Sequence, residues 1–194
     1  MNIPSLLINA EKAGLRTIIL GCVKEFPLIL LTPTHKVERN ILIAAGFHGE
    51  EPAGVLAINE FIGTNSNVSA SFLPLVNPTG FYSNHRYNDY GQNPNNGWCH
   101  TESGIQELSY EGEMIQSNIG LIKSLAIDGF ISLHEDCDET KFYLYTFEHS
   151  NEPGDFSNTL RNAELKHFDH LPDSILAGAQ VKNGIIFNEH DGSF

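Results

Sequence analysis

A chain of 194 residues, 41% hydrophobic and 18% charged, has the length of one domain and enough apolar side chains for a core of its own. Its 24 acidic against 11 basic side chains give a formal net charge of -13, which repels a phosphate backbone and an anionic membrane surface and so excludes nucleic acid and membrane as expected partners. Three widely spaced cysteines, Cys22, Cys99 and Cys137, without a CxxC pair, exclude a disulfide framework and a thiolate zinc site.

The amino-terminal stretch has no basic region and only a short apolar run, so no secretory signal is read there. No segment approaches the roughly twenty apolar residues of a membrane span. A reducing cytoplasm is the expected compartment.

In chain order, two β-branched apolar runs, 15–23 and 27–32, flank the polar Lys24-Glu25 and predict an antiparallel hairpin at a sheet edge. The nearly continuous apolar run 40–47 predicts a strand covered on both faces. Residues 52–62, with Pro52 at the start and Val55, Leu56, Ile58, Phe61 and Ile62 as the apolar set, predict an amphipathic helix. Residues 71–76 predict a strand in which Pro74 marks an edge position or a bulge.

From 77 to 104 the density of Asn, Gly, Pro and Tyr predicts a long functional loop. A helix over 111–126 and a buried strand over 129–133 follow. Residues 141–147 predict a strand, 157–168 a short helix and 184–187 a last strand. The alternation gives an α/β fold, a mixed and mostly parallel sheet with helices on both faces, as one domain over 1–194.

Chemistry concentrates where two of these strands end. The strand ending at Phe47 runs into His48-Gly49-Glu50-Glu51, and open α/β sheets carry their ligand sites at the carboxyl ends of strands. Spacing of three in a first helical turn puts an imidazole and a carboxylate on one side, a fitting pair for zinc, and Gly49 allows close backbone approach. H-x-x-E alone is a weak signal. His134, at the end of the strand 129–133, strengthens it: side by side, the two strand ends make a His-Glu-His set with a fourth position open, the pattern of catalytic zinc. The competing use of His134 is that of a hydrogen-bonded histidine at a strand end. Glu135 and Asp136 either orient a ligand imidazole or are solvated.

The ordered set His48-x-x-Glu51, Asn77-Pro78-x-Gly80, Arg86 in a loop, and a strand ending in His134 resembles the zinc carboxypeptidase family, including its desuccinylase and aspartoacylase branch. The resemblance implies the phosphorylase/hydrolase-like fold, one Zn2+ per chain, and a peptide or small N-acyl amino acid as substrate. It also implies that Arg86 polarises the scissile carbonyl and stabilises the oxyanion; a lone cation in a loop beside a metal suits that task, and the alternative is a surface arginine paired with Asp89. Asn95 falls at the family's substrate-binding asparagine, although an Asn in such a loop also serves as a turn former. Asn96 stands where the family has an arginine that grips a terminal carboxylate, and an amide offers no cationic fork. The family's general-base glutamate lies on a late strand after a Gly-Ser turn like Gly192-Ser193, so the expectation is a catalytic domain without its carboxyl-terminal strand, Glu189 being the one late glutamate in the sequence. Tyr143 and Tyr145 either line the pocket or pack in the core.

Overall fold

A computed structural model describes residues 3–98 and 107–188. They form two compact units, one of the described residues through Glu135 and one of those from Asp136 onward. Glu189, the Gly192-Ser193 turn and Cys99 lie outside the described residues.

The first unit is an α/β layer structure. β1 (Leu15–Val23) and β2 (Phe26–Pro33) form the expected antiparallel hairpin at a sheet edge, with an irregularity in register between Ile19 and Gly21. β3 (Ile41–Ala45), β4 (Ser71–Leu73) and β5 (Gly129–Leu133) complete a five-stranded mixed sheet in the order β1-β2-β4-β3-β5. β4 is antiparallel to β2 and parallel to β3, and β3 is parallel to β5.

Alternation along the strands splits the core in two. On one face Ile29, Leu31, Ala45 and Phe72 pack with Leu6 and Ala10 of α1 (Ile3–Lys12) and with Val55, Ile58 and Ile62 of α2 (Pro52–Thr64). On the other, Leu28, Leu30, Leu42, Ala44 and Leu73 pack with Ile115 of α4 (Tyr110–Ser117) and Ile122 of α5 (Ile119–Leu125). Helices thus cover both faces, and period-2 strands facing two apolar layers explain why β2 reads as an unbroken apolar run.

Several expectations need correction. β4 is an interior strand, and it stops at Leu73, so Pro74 terminates the ladder instead of marking an edge. β5 is the edge strand opposite β1 and is half-buried along its length. Leu56 and Phe61 of α2 are exposed; only the Val55-Ile58-Ile62 stripe is core.

The expected loop after Val76 contains α3 (Pro78–Ser83), built from local signals. The Asn77 side chain accepts from the Gly80 N–H at 2.9 Å, Pro78 opens the helix, and Asn84 closes it in the left-handed region at φ 53°. The expected single helix over 111–126 is broken at Asn118, whose side chain donates to the Met114 carbonyl at 2.8 Å and draws the backbone out of helical geometry.

The second unit holds a separate four-stranded sheet, β6-β9-β8-β7, from β6 (Leu144–Thr146), β7 (Ser174–Leu176), β8 (Ala179–Lys182) and β9 (Ile185–Phe187). α6 (Asp155–Glu164) begins two residues earlier than the pattern predicts, because Glu148 Oε2 accepts from the Gly154 N–H at 2.9 Å and its other oxygen from the Ser157 hydroxyl. Tyr143 packs with Leu171, Val181 and Ile186 in this unit's core, and its hydroxyl donates to Asp136 at 2.7 Å. Burial together with that carboxylate raises the Tyr143 pKa, so the phenol stays protonated. Among the described residues no helix is long and apolar enough to cross a membrane.

Candidate metal centre

Parallel pairing aligns Ala45 of β3 with Leu133 of β5, so the chain leaves the sheet at the same level on both strands. One strand end delivers His48 and Glu51, the other His134. Gly46 makes the turn out of β3 at φ 68°, and the Glu51 N–H returns to the His48 carbonyl at 3.3 Å. Glu51 is therefore the residue before the first turn of α2, with Pro52 behind it. The two ligand candidates share a side because of this tight turn, and not because both lie within the helix.

Gly49 is required by the packing: a Cβ there would lie 2.0 Å from the Gly80 carbonyl carbon. The turn after β3 is pressed against α3, and the expectation of close backbone approach holds.

His48 Nδ1 lies 2.6 Å from Glu51 Oε1, and His134 Nδ1 lies 2.8 Å from Glu51 Oε2. One ligand atom from each of the three residues falls within 4.8 Å of the others. His48 and Glu51 are 4% and 7% exposed, whereas the His134 side chain keeps 32% of its surface open. The centre is closed on one side and accessible on the other.

Burial alone would raise the Glu51 carboxyl, but hydrogen bonds from His134 and then His48 outweigh it and hold the pKa down at about 2. Two imidazoles and an ionised carboxylate converging on one point are the donor chemistry of zinc, and a ring that coordinates through Nδ1 carries its proton on Nε2. For His134 that proton has an acceptor, the Ser132 hydroxyl at 3.0 Å. The His48 Nε2 is buried and has no partner among the described residues. The residues present fit a zinc ion.

Arg86 stands beside the set. Its Nη1 is 3.3 Å from Glu50 Oε1 and 3.5 Å from Glu51 Oε1. Asp89 does not compete for it, being paired with Lys24. Arg86 is positioned by a residue whose part sequence reasoning recognised only as a motif position: Asn77, fully buried, donates through Nδ2 to the Arg86 carbonyl at 3.2 Å and to the Phe47 carbonyl at 3.4 Å. One side chain ties the end of β3 to the loop that carries the arginine.

Glu135 contributes differently from either expected use. Its N–H donates to Glu51 Oε2 at 3.2 Å, and its carboxylate accepts from the Ala53 N–H at 2.5 Å in the first turn of α2. Asn95 is 8% exposed and its N–H is held by Asn93 Oδ1 at 3.0 Å, the geometry of an Asx turn. Its Oδ1 has no partner among the described residues and makes no hydrogen bond to the three clustered side chains.

No protein-family model and no curated protein matches the chain. Solved structures do. A candidate metallopeptidase from Shewanella amazonensis SB2B is 39% identical, with 99% of this chain and 76% of that chain covered at a TM-score of 0.89. A second, from Shewanella baltica OS155, is 35% identical over 99% of this chain and 75% of that one, with a TM-score of 0.88. A metallo-carboxypeptidase from Burkholderia cenocepacia shares the fold at 20% identity, covering 84% of this chain and 48% of that one with a TM-score of 0.58.

Proposed function

The chain belongs to the metallopeptidase family of the two Shewanella structures and has a zinc-carboxypeptidase-like fold, and from that premise we propose that it is a zinc-dependent hydrolase of amide or peptide bonds, binding one Zn2+ through His48, Glu51 and His134. The observation that carries the reading is the convergence of these three side chains from two parallel strand ends with one side of the cluster open. Zinc held by these three residues would supply Lewis acidity to a substrate carbonyl and to a water.

The chain's own residues would do the rest. Glu51 and the two imidazoles fix the centre. Arg86 donates to the oxygen on which negative charge develops, exchanging its exposed contact with Glu50 for that oxyanion. Asn95 would hydrogen-bond the substrate. Of the neighbouring carboxylates, Glu50 pairs with Arg86 and Glu135 with the Ala53 N–H; the general base that the resemblance implies is a glutamate on a late strand, outside the described residues.

One observation favours a second substrate class. Asn96, at the position of a carboxylate-gripping arginine, weakens the case for a free peptide carboxyl terminus and supports a deacylase of small N-acyl amino acids. The free cysteines Cys22 and Cys137 are compatible with a reducing compartment such as the cytoplasm, and the charge of -13 with substrates other than nucleic acid.

Assays of the zinc-loaded chain on peptides and on N-acyl amino acids separate these readings. Turnover of either class that disappears in Glu51→Ala supports the hydrolase and names its substrate. Stoichiometric zinc with no turnover of either class would favour a zinc-binding domain without catalysis.

A further inference from the structure

The sheet has a second charged site at its other end. A cavity of about 340 Å³ opens by the amino ends of β3 and β4 and the carboxyl end of β2. Arg16, Lys36, Arg39 and His35 line it, together with Thr32 and Ser71. Three of the 11 Lys and Arg residues of an acidic protein therefore face one concavity, and no Asp or Glu lines it among the described residues. Asp128 is nearby, accepting from the Asn40 N–H at 2.7 Å, but it is not part of the lining.

Arg16, Lys36 and Arg39 are exposed, so water and salt screen their mutual repulsion, and an anion placed between them is attracted by all three. Here none of the three cations has an ion-pair partner among the described residues, although Lys24 and Arg86 elsewhere do. Arg16 is also oriented. Its Nε donates to the buried Thr32 hydroxyl at 2.9 Å, which fixes the plane of the guanidinium and leaves both terminal nitrogens for a ligand. Arg16 and Thr32 are cross-strand partners on β1 and β2, so the sheet sets this geometry.

We propose that this cavity is an anion site for a small molecule carrying a phosphoryl group, separate from the metal centre. A lone carboxylate needs one fork and one counter-charge. Three permanent cations and hydroxyl donors suit a dianion whose several oxygens accept at once, and the volume is that of a small ligand.

The test titrates the full chain with inorganic phosphate at low ionic strength by calorimetry, comparing wild type, the double variant R16A/R39A, and H48A, which lies at the other end of the sheet. The proposal expects one saturable site in wild type, the same affinity in H48A, and at least about tenfold weaker binding in the double variant. R16Q/R39Q, which retains side-chain bulk, should show the same loss if the alanine variant folds poorly. No saturable binding in wild type, equal affinity in the arginine variants, or loss in H48A would overturn it. Citrate in a parallel arm decides the ligand chemistry: citrate binding more tightly than phosphate overturns the phosphoryl assignment.

Discussion

Glu51 and His134 are 83 positions apart in sequence, yet a carboxylate oxygen of one lies 2.8 Å from a ring nitrogen of the other. The contact exists because β3 and β5 are parallel and end in register, and the same carboxylate reaches His48 with its second oxygen. The site is thus a property of strand pairing, and its parts can be tested separately.

The Ser132 hydroxyl lies 3.0 Å from His134 Nε2 and pairs with it, which fixes the ring with Nδ1 toward Glu51. Ser132→Ala is expected to lower zinc affinity by about tenfold or more while leaving the fold intact. A competition titration against a chromophoric chelator measures this. An unchanged affinity would show that the ring is held by packing, its stacking on Phe47 being the available contact.

Glu51 is also expected to make the metal-free protein sensitive to acid. Its folded pKa, about 2, lies below the ordinary 4.5, so the stabilisation is complete above about 4.5 and is lost as pH falls from there toward 2. The size is on the order of 3 kcal/mol. Urea unfolding in the presence of chelator should give a smaller stability loss between pH 6 and pH 2.5 for Glu51→Gln than for wild type. Parallel losses would mean that other carboxylates carry the acid sensitivity.

Gly49→Ala places a methyl group into the Gly80 backbone, where no rotamer change relieves it. A loss of about 2 kcal/mol or more is expected, seen as a shift in thermal midpoint of at least about 4 °C for a protein of this size. Gly91→Ala is the control for space, since nothing lies within 4 Å of its added Cβ; its φ of 72° leaves only backbone strain as a cost.

Asn77→Ala removes the amino-terminal cap of α3, costing about 1 kcal/mol, and frees the Arg86 carbonyl. Because the three proposed zinc ligands are untouched, zinc content should stay that of wild type while kcat on the substrate identified falls. Asn77→Asp keeps the acceptor for the Gly80 N–H but sets a buried carboxylate oxygen against the Phe47 and Arg86 carbonyls in place of both donors, so it should not restore kcat. Recovery of kcat in Asn77→Asp would reduce Asn77 to a helix cap.

Much of this arrangement was legible in the sequence because burial on two faces and strand ends leave strong local marks. The hairpin, β3, α2 and the parallel run into His134 follow from apolar runs bounded by turn residues. α1 carries its own signal, Ile3, Leu6, Leu7 and Ala10 at helical spacing, in a stretch short enough to resemble an isolated apolar run. The break at Asn118 depends on a side chain competing with the backbone, and apolar periodicity continues across it. Pro74 misled because a proline one residue past a strand looks the same in sequence as one inside it. The strands of the second unit are three or four residues long, too short for a period to be read.

At the site, residue types and spacing pointed to His48, Glu51 and His134, but not to the contacts around them. Asn77 Nδ2 on two carbonyls, Ser132 behind His134 and the Glu135 N–H on Glu51 are tertiary facts, set by how α3 and β5 lie against the turn after β3. The pairing of Arg86 with Glu50 in place of Asp89 is of the same kind, since the nearer residue in sequence was taken by Lys24 from the hairpin.

The most direct measurement is zinc content by elemental analysis of purified wild type, His48→Ala and His134→Ala after equilibration with a small excess of zinc and removal of unbound metal, with circular dichroism on each to confirm folding. About one zinc per chain in wild type and far less in both folded variants is the predicted result. Wild type without zinc, or folded variants that keep the full amount, would contradict a metal centre at the ends of β3 and β5 and with it the hydrolase built on that centre.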